Sequence, residues 1–334
     1  MVWRRWVAVA VACAALAGCG GDSEDEAGCR DGASGPVAAY RATAPLGGPP
    51  APGALDAAVR VMCERARARG MTVDVRQRGG GEIEIQGNAT GRELAGLTAT
   101  GRLTFYDWEP NVYGDPDQPL NSIGEAIGMA ARAEPRAEAT DVPSDRANDT
   151  LGDRYYLRGA KDATEFSTIR PRARPRAVKV PRGVLVVRAE VPAGATAGAP
   201  AQYFVVEDDV ELSVSEIEDP KQGFDEQTRE PVVTMEFTEA GRRAFARVTK
   251  RIAQRGQDSL PQPGGSPADR MQRFMIALDG QIVSLATIDF IANPDGISGE
   301  TGAQINGIGS TEETRELADS LRIGALPVRL EPVR

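Results

Sequence analysis

The sequence predicts an α+β protein of two modules, and three observations predict it. Between Val37 and Asp107, segments of alternating polarity are interleaved with stretches whose apolar residues recur at helical spacing. A second such series runs from about Tyr203 to Gly309, and within it Asp279-Gly280 separates two apolar runs, a strong hairpin signal. Thr90-x-x-Glu93 and Ser310-x-x-Glu313 carry the spacing of a capping box, in which a hydroxyl and a carboxylate satisfy the first free N–H groups of a helix. The first module reads strand–helix–strand–strand–helix–strand, the βαββαβ order of a ferredoxin-like fold.

Its elements follow in turn. Val37 to Ala42 is a strand, followed by a Pro/Gly loop from Pro45 to Gly53. Leu55, Val59, Met62 and Ala66 share a helix face, and Gly70 ends that helix. Met71 to Arg78 alternates as a strand; Gly79-Gly80-Gly81 turns it into Glu82 to Gln86, with Ile83 and Ile85 inward. Thr90 opens a short helix through Leu97, and Arg102 to Asp107 is expected to be the last strand of the module. From Trp108 to Gln202 the pattern supports only a short helix from Ser122 and a strand at Val184 to Val191, among ten prolines. Residues 108–202 are therefore expected to be a Pro-rich, partly ordered insertion.

In the second module Tyr203 to Val206, Val210 to Val214 and Val232 to Phe237 read as strands. Thr238 caps a helix whose apolar face is Ala244, Phe245, Val248 and Ile252. Phe274 to Leu278 and Ile282 to Leu285 form the hairpin, with further strands at Ile288 to Ile291 and Ala303 to Ile305. The helix from Ser310 and the segment Leu326 to Leu330 return to the first module. The base then comprises 37–107 plus 310–334, with 203–309 as an excursion. A hinge is expected where the chain crosses: at Ala201, Gln202 and Tyr203 beside Pro200, and at Gly307 and Gly309, where glycine permits unusual backbone angles.

The N-terminus has the layout of an export signal. Arg4 and Arg5 precede a short apolar run, and Leu16-Ala17-Gly18-Cys19 closes it. Small residues before a cysteine match a lipoprotein cleavage site, so residues 1–18 are expected to be removed and Cys19 lipidated. A diacylglyceryl group brings at least two chains, enough for stable anchoring. Residues 19–36 then form a polar, flexible tether. The expected location is the extracytoplasmic face of the cell membrane. Cys13 leaves with the signal and Cys19 carries lipid, which leaves Cys29 and Cys63 of the four cysteines; in an exported chain they most simply form a disulfide, with two buried thiols as the alternative.

Loss of Arg4 and Arg5 leaves 37 basic residues against 48 acidic ones, a net charge of −11. That is a poor footprint for nucleic acid. The chain has no histidine, which removes imidazole metal sites and His-based nucleophile systems. Glu207-Asp208-Asp209 and Asp115-Pro116-Asp117 read as solvated turns, without calcium-loop spacing. Gly79-Gly80-Gly81 lacks the following Lys-Ser/Thr and helix of a phosphate cradle. Asp279 is explained by its turn. No catalytic residue, cofactor or metal is expected. Two basic features stand out: the stretch Arg170, Arg172, Arg174, Arg176, Lys179 and Arg182, read as a solvated linker, and the charged side of the helix from Thr238, read as its outer face.

The stretch PVVTMEFTEAGRRAFARVTKRI from Pro231, then RFMIALDGQIVSLATI, then ETGAQINGIGSTEETRELADSLRIGALPVRLEPVR resembles the first periplasmic domain of SecD, its base and head subdomains. The segment Leu321-Arg322-x-Gly324-Ala325-Leu326-Pro327 is the most specific part. The resemblance implies a role accessory to Sec protein translocation, with newly exported, unfolded polypeptide or the Sec translocase as partners. In SecD the Gly-Ala-Leu-Pro turn is soon followed by transmembrane helices, and this sequence stops at Arg334, so a lipid-anchored protein without its own proton-driven motor is expected. The alternative is an envelope interaction or scaffold module that kept the head fold but has no part in export.

Overall fold

Val73, Val75, Ile83 and Ile85 are buried on one side of a five-stranded antiparallel sheet. This arrangement comes from a computed structural model that describes residues 28–29, 31–44, 49–134, 183–189, 201–260, 265–306 and 308–333. The strands are β1 (Gly28–Cys29), β2 (Val37–Thr43), β3 (Val73–Arg78), β4 (Glu82–Gly87) and, from the end of the chain, β14 (Arg329–Pro332), in the spatial order β1-β3-β4-β2-β14. Helix α1 (Ala54–Ala68) buries Ala58, Val59, Met62, Cys63 and Ala66 against this sheet, and Gly70 at φ +64° ends it. The opposite side of the sheet is polar, with Arg76 and Arg78 both on Glu84 and Arg41 on Glu82. Helix α2 (Gly91–Thr98) starts at the expected capping box and buries Leu97 in the same core.

The order β3-β4-β2-β14, antiparallel throughout, is that of a ferredoxin-like fold. Its last strand, however, is not the expected one. The segment at Arg102 to Asp107 is a strand, β5 (Leu103–Asp107), but all five of its residues are buried. A strand buried on both faces cannot lie on a sheet with one solvated, charged side. It lies instead inside a six-stranded sheet, and β14 completes the base, with Arg329 opposite Thr43 and Pro332 opposite Tyr40. The base therefore closes only after the head has been made.

The six-stranded sheet has the order β7-β6-β12-β11-β5-β8, built from β6 (Val184–Arg188), β7 (Tyr203–Glu207), β8 (Leu212–Ser213), β11 (Gln272–Leu278) and β12 (Gln281–Ile288) around β5. The β11–β12 hairpin turns at Asp279-Gly280 as its sequence requires, both with positive φ. Beyond Ile288 the expected strand does not continue, because the Asp289 carboxylate accepts the N–H groups of Ile291 and Ala292 and curls the chain. The described parts of 108–202 also differ from expectation: they belong to the head. Helix α3 (Trp108–Asn111) sets Trp108 against Phe204, and α4 (Ile123–Ala130) packs Ile123, Ala126 and Ile127 on Val184, Val186, Tyr203 and Val205. The strands expected from Val184 and from Tyr203 are β6 and β7, paired antiparallel.

A second, three-stranded sheet has the order β13-β10-β9, from β9 (Ile217–Phe224), β10 (Pro231–Phe237) and β13 (Ala303–Ile305). Helix α5 (Glu239–Asp258), capped by Thr238, packs in the core shared by the two head sheets through Ala244, Phe245, Val248 and Ile252. Four phenylalanines join them there: Phe245 lies 4.9 Å from Phe237 and 5.5 Å from Phe274, and Phe105 touches both partners. Gly241 in the first turn of α5 is forced by packing, since a methyl there would strike the carbonyl oxygen of Glu216. Helix α6 (Thr311–Ile323) adds Leu317, Ala318 and Leu321 to the head core before the chain re-enters the base.

Candidate functional site at the base–head junction

The chain leaves the base through Ala99–Arg102 and returns to it through Gly324–Val328, and one buried arginine holds both passages. Arg65 sits on the last turns of α1 and is fully buried. Its guanidinium donates to the carbonyl oxygens of Ala99 at 2.5 Å and Gly324 at 2.8 Å, with longer contacts of 3.4 Å to those of Leu97 and Thr100. Burial lowers its pKa to about 10, opposed by the nearby Asp279 carboxylate. At neutral pH it is charged, and carbonyl oxygens meet that charge.

From the head side, the hairpin tip closes on the same segment. The Asp279 carboxylate accepts from the Thr100 hydroxyl at 2.6 Å, the Gly101 N–H at 3.0 Å and the Arg102 N–H at 2.9 Å, while its own N–H donates to the Arg102 carbonyl. The Leu326 N–H donates to the Thr100 carbonyl at 2.8 Å. Four residues of connector are thus held from both domains by side chains of opposite charge. Asp279 is a turn residue, as its sequence context indicates, and also a clamp. Arg65 carried no signal in the sequence: it falls on the helical spacing of α1, where an arginine reads as solvent-facing.

A second polar group lies nearby in the head. The buried Tyr106 hydroxyl donates to Asp208 at 2.7 Å, and Arg102 approaches the same carboxylate at 3.8 Å. Burial, then the Asp208 charge, push the tyrosine pKa well up. Glu207, the last residue of β7, and Asp208 are buried, so the expected solvated turn is corrected: Asp208 faces inward to meet Tyr106 and Arg102. Asp115 does form a local turn, accepting from the Asp117 N–H at 2.9 Å.

Much of the charged side of α5 is paired. Arg255 and Arg251 both reach the buried Asp107, Arg251 also reaches Glu211, and Lys250 meets Asp295 at 3.0 Å. Arg242 donates to the Phe237 carbonyl. Burial raises the pKa of Glu211, against the pull of Arg251. This is the outer face of a packed helix, tied to the end of β5.

Of the other expected site residues, Cys29 and Cys63 are joined by a disulfide, Cα atoms 5.7 Å apart, which fastens the two-residue β1 to α1. Cys19, Gly307 and the basic stretch from Arg170 to Arg182 lie outside the described residues. The hinge expected at Ala201, Gln202 and Tyr203 is not at a crossing. Tyr203 lies in β7 and exchanges backbone hydrogen bonds with Leu120, and the Gln202 carbonyl accepts from Ala189. A paired, buried strand end cannot absorb a rotation. Gly309, at φ +112°, does lie on the return path. Among the described residues no cluster of His, Cys, Asp and Glu can hold a metal, and no helix is long and apolar enough to cross a membrane.

Residues 190–328 match the family model of the SecDF P1 head subdomain. This chain carries a SecDF P1 head subdomain. Nothing matches among curated proteins. Among solved structures, a membrane component SecDF that enhances protein export is similar at 17% identity and a TM-score of 0.46, covering 90% of this chain and 98% of that one. SecDF in a super-membrane-facing form gives 18% identity and a TM-score of 0.47 over 89% of this chain and 29% of its own. SecDF from Thermus thermophilus, a translocon-associated membrane protein, gives 20% identity and a TM-score of 0.29 over 90% and 30%. The head subdomain as folded here exceeds the matched range, because β5, α3, α4 and β6 precede residue 190 yet build its larger sheet. The match also runs through α6 to Val328, and so includes the Gly324 passage held by Arg65.

Proposed function

We propose that this is an extracytoplasmic, SecD-like protein accessory to Sec protein translocation, anchored through lipid on Cys19, which binds and guides newly exported polypeptide and is not an enzyme. The carrying observation is the SecDF P1 head subdomain over residues 190–328, on a ferredoxin-like base. Its work on this reading is binding, with the Sec translocase or the emerging chain as partner. In vivo photocrosslinking from the head tests it: many unfolded precursors should be captured, and capture of a single folded partner would refute the export role. Fractionation tests the anchor, since Cys19→Ala should leave unprocessed precursor or release the protein from membranes.

One observation favours the rival reading of a static envelope interaction module. The connector is fastened from both sides by Arg65 and Asp279, so head and base are tied as one body at that point. Crosslinking to one folded partner, with export unaffected by deletion, would decide for it.

A further inference from the structure

The smaller head sheet ends on an open edge. β9 pairs with β10 on one side, and no described residue pairs with its other side. The register tells which backbone groups are free. The Asp225 N–H donates to the Glu230 carbonyl at 2.9 Å, and Gly223 and Lys221 stand opposite Val232 and Thr234. Hydrogen-bonded pairs alternate along an antiparallel ladder. The N–H and C=O of Gln222 and Phe224 therefore point away from β10. Phe224 is also a large apolar side chain on the surface, 52% exposed.

Edges of this kind are usually blunted by proline or a bulge. β9 has both, at Asp219 (φ +49°) and Pro220, where the register shifts. They block only its first half. The second half, Lys221 to Asp225, remains regular, no described residue pairs with its outer side, and a row of alternating donors and acceptors is satisfied by one thing above all: another extended backbone.

Charge decides which one. From Ile217 to Phe237 the two strands and their turn carry six carboxylates against two basic residues, Lys221 and Arg229. Two copies of this edge would bring like charges together, which disfavours self-pairing. A cation-bearing segment would be attracted.

We propose that the Lys221–Asp225 edge of β9 binds an extended, lysine- or arginine-bearing polypeptide segment by adding it as a strand to the head sheet. This deepens the client-binding reading and rests on it for the identity of the client. The test uses the mature protein and a short fluorescein-labelled peptide of alternating lysine and threonine, followed by anisotropy. Gln222→Pro removes an outward N–H without touching the β9–β10 ladder, and its melting curve checks folding. Binding should weaken about tenfold in Gln222→Pro, and similarly when the peptide is N-methylated at alternate residues or carries glutamate for lysine. Equal affinity of both proteins, indifference to N-methylation, or a concentration-dependent dimer abolished by Gln222→Pro would overturn the proposal. Peptide binding at this edge without precursor capture in vivo leaves the edge assignment standing and removes the export reading. Precursor capture unchanged by Gln222→Pro removes the edge assignment alone.

Discussion

Arg65→Met isolates what the junction contributes. Methionine keeps an unbranched, helix-compatible stem in the core of the base, so the change removes the guanidinium and little packing. Two short bonds disappear, to the carbonyls of Ala99 and Gly324, along with two long ones. Hydrogen bonds to a charged group contribute about 1.5–3 kcal/mol each, so the two short ones together are worth about 3–6 kcal/mol. Against this stands relief from burying a charge, which the fall of the Arg65 pKa to about 10 registers. The net loss should be about 2–4 kcal/mol, because the orphaned carbonyls stay enclosed between helix and hairpin.

Urea unfolding measures that loss, and amide exchange locates it. The N–H groups of Gly101 and Arg102, held by Asp279, and of Leu326, held by Thr100, should lose protection before those of β3 and β4. Arg65→Lys should not rescue, since one ammonium cannot span carbonyls on two separate passages of chain. A change in stability below about 0.5 kcal/mol would refute the reasoning, as that is the range of an uninvolved surface position. So would unchanged protection at Gly101 and Arg102 alongside a general loss of stability, which would make Arg65 a prop of the base core only.

Replacing Cys29 and Cys63 by serine should cost about 3–4 kcal/mol on the chain-entropy estimate for the separation of 34 residues, read as a lower urea midpoint. Gly241→Ala should destabilise by about 1–3 kcal/mol despite alanine's better helix propensity, because the methyl meets the Glu216 carbonyl; an unchanged melting temperature would contradict the packing. Asp225 accepts from the N–H groups of Thr228 and Gln227 and from Gln304 of β13, which lowers its pKa from 3.8 to about 2. Its contribution is present above the ordinary carboxylate pKa and lost as pH falls towards about 2. Carboxyl titration by NMR should show that midpoint, and Asp225→Asn should remove it.

The sequence made legible the elements whose signal is local. The capping boxes at Thr90 and Ser310, the Thr238 cap, the Asp279-Gly280 turn and the apolar face of α5 all stand where their residues place them. What it concealed depends on partners distant in the chain. The strand β9 carries no clear strand pattern because its sequence, IEDPKQGF, is that of an edge strand with a bulge, interrupted by Pro220. The strand β5 reads as a fourth ferredoxin strand because the distinction between one buried face and two rests on Tyr106 and Thr104, whose cover comes from residues far along the chain.

The junction shows the same limit from the energetic side. A buried arginine among carbonyl oxygens has no periodic signature, and Arg65 falls between Cys63 and Ala66 on a helix that would fold the same way with Arg65 in solvent. Its partners become neighbours only because β14, not β5, completes the base sheet, which brings Gly324 back beside Ala99. Topology therefore creates the site. A head inserted between the third and fourth strands of a ferredoxin-like base must leave and return through adjacent openings. One long cationic side chain on the first helix is then enough to hold both, with the hairpin tip of the head pressing an acid onto the same four residues from the other side. The residues that fasten the crossing between base and head are therefore Arg65 and Asp279, and not Ala201 to Tyr203.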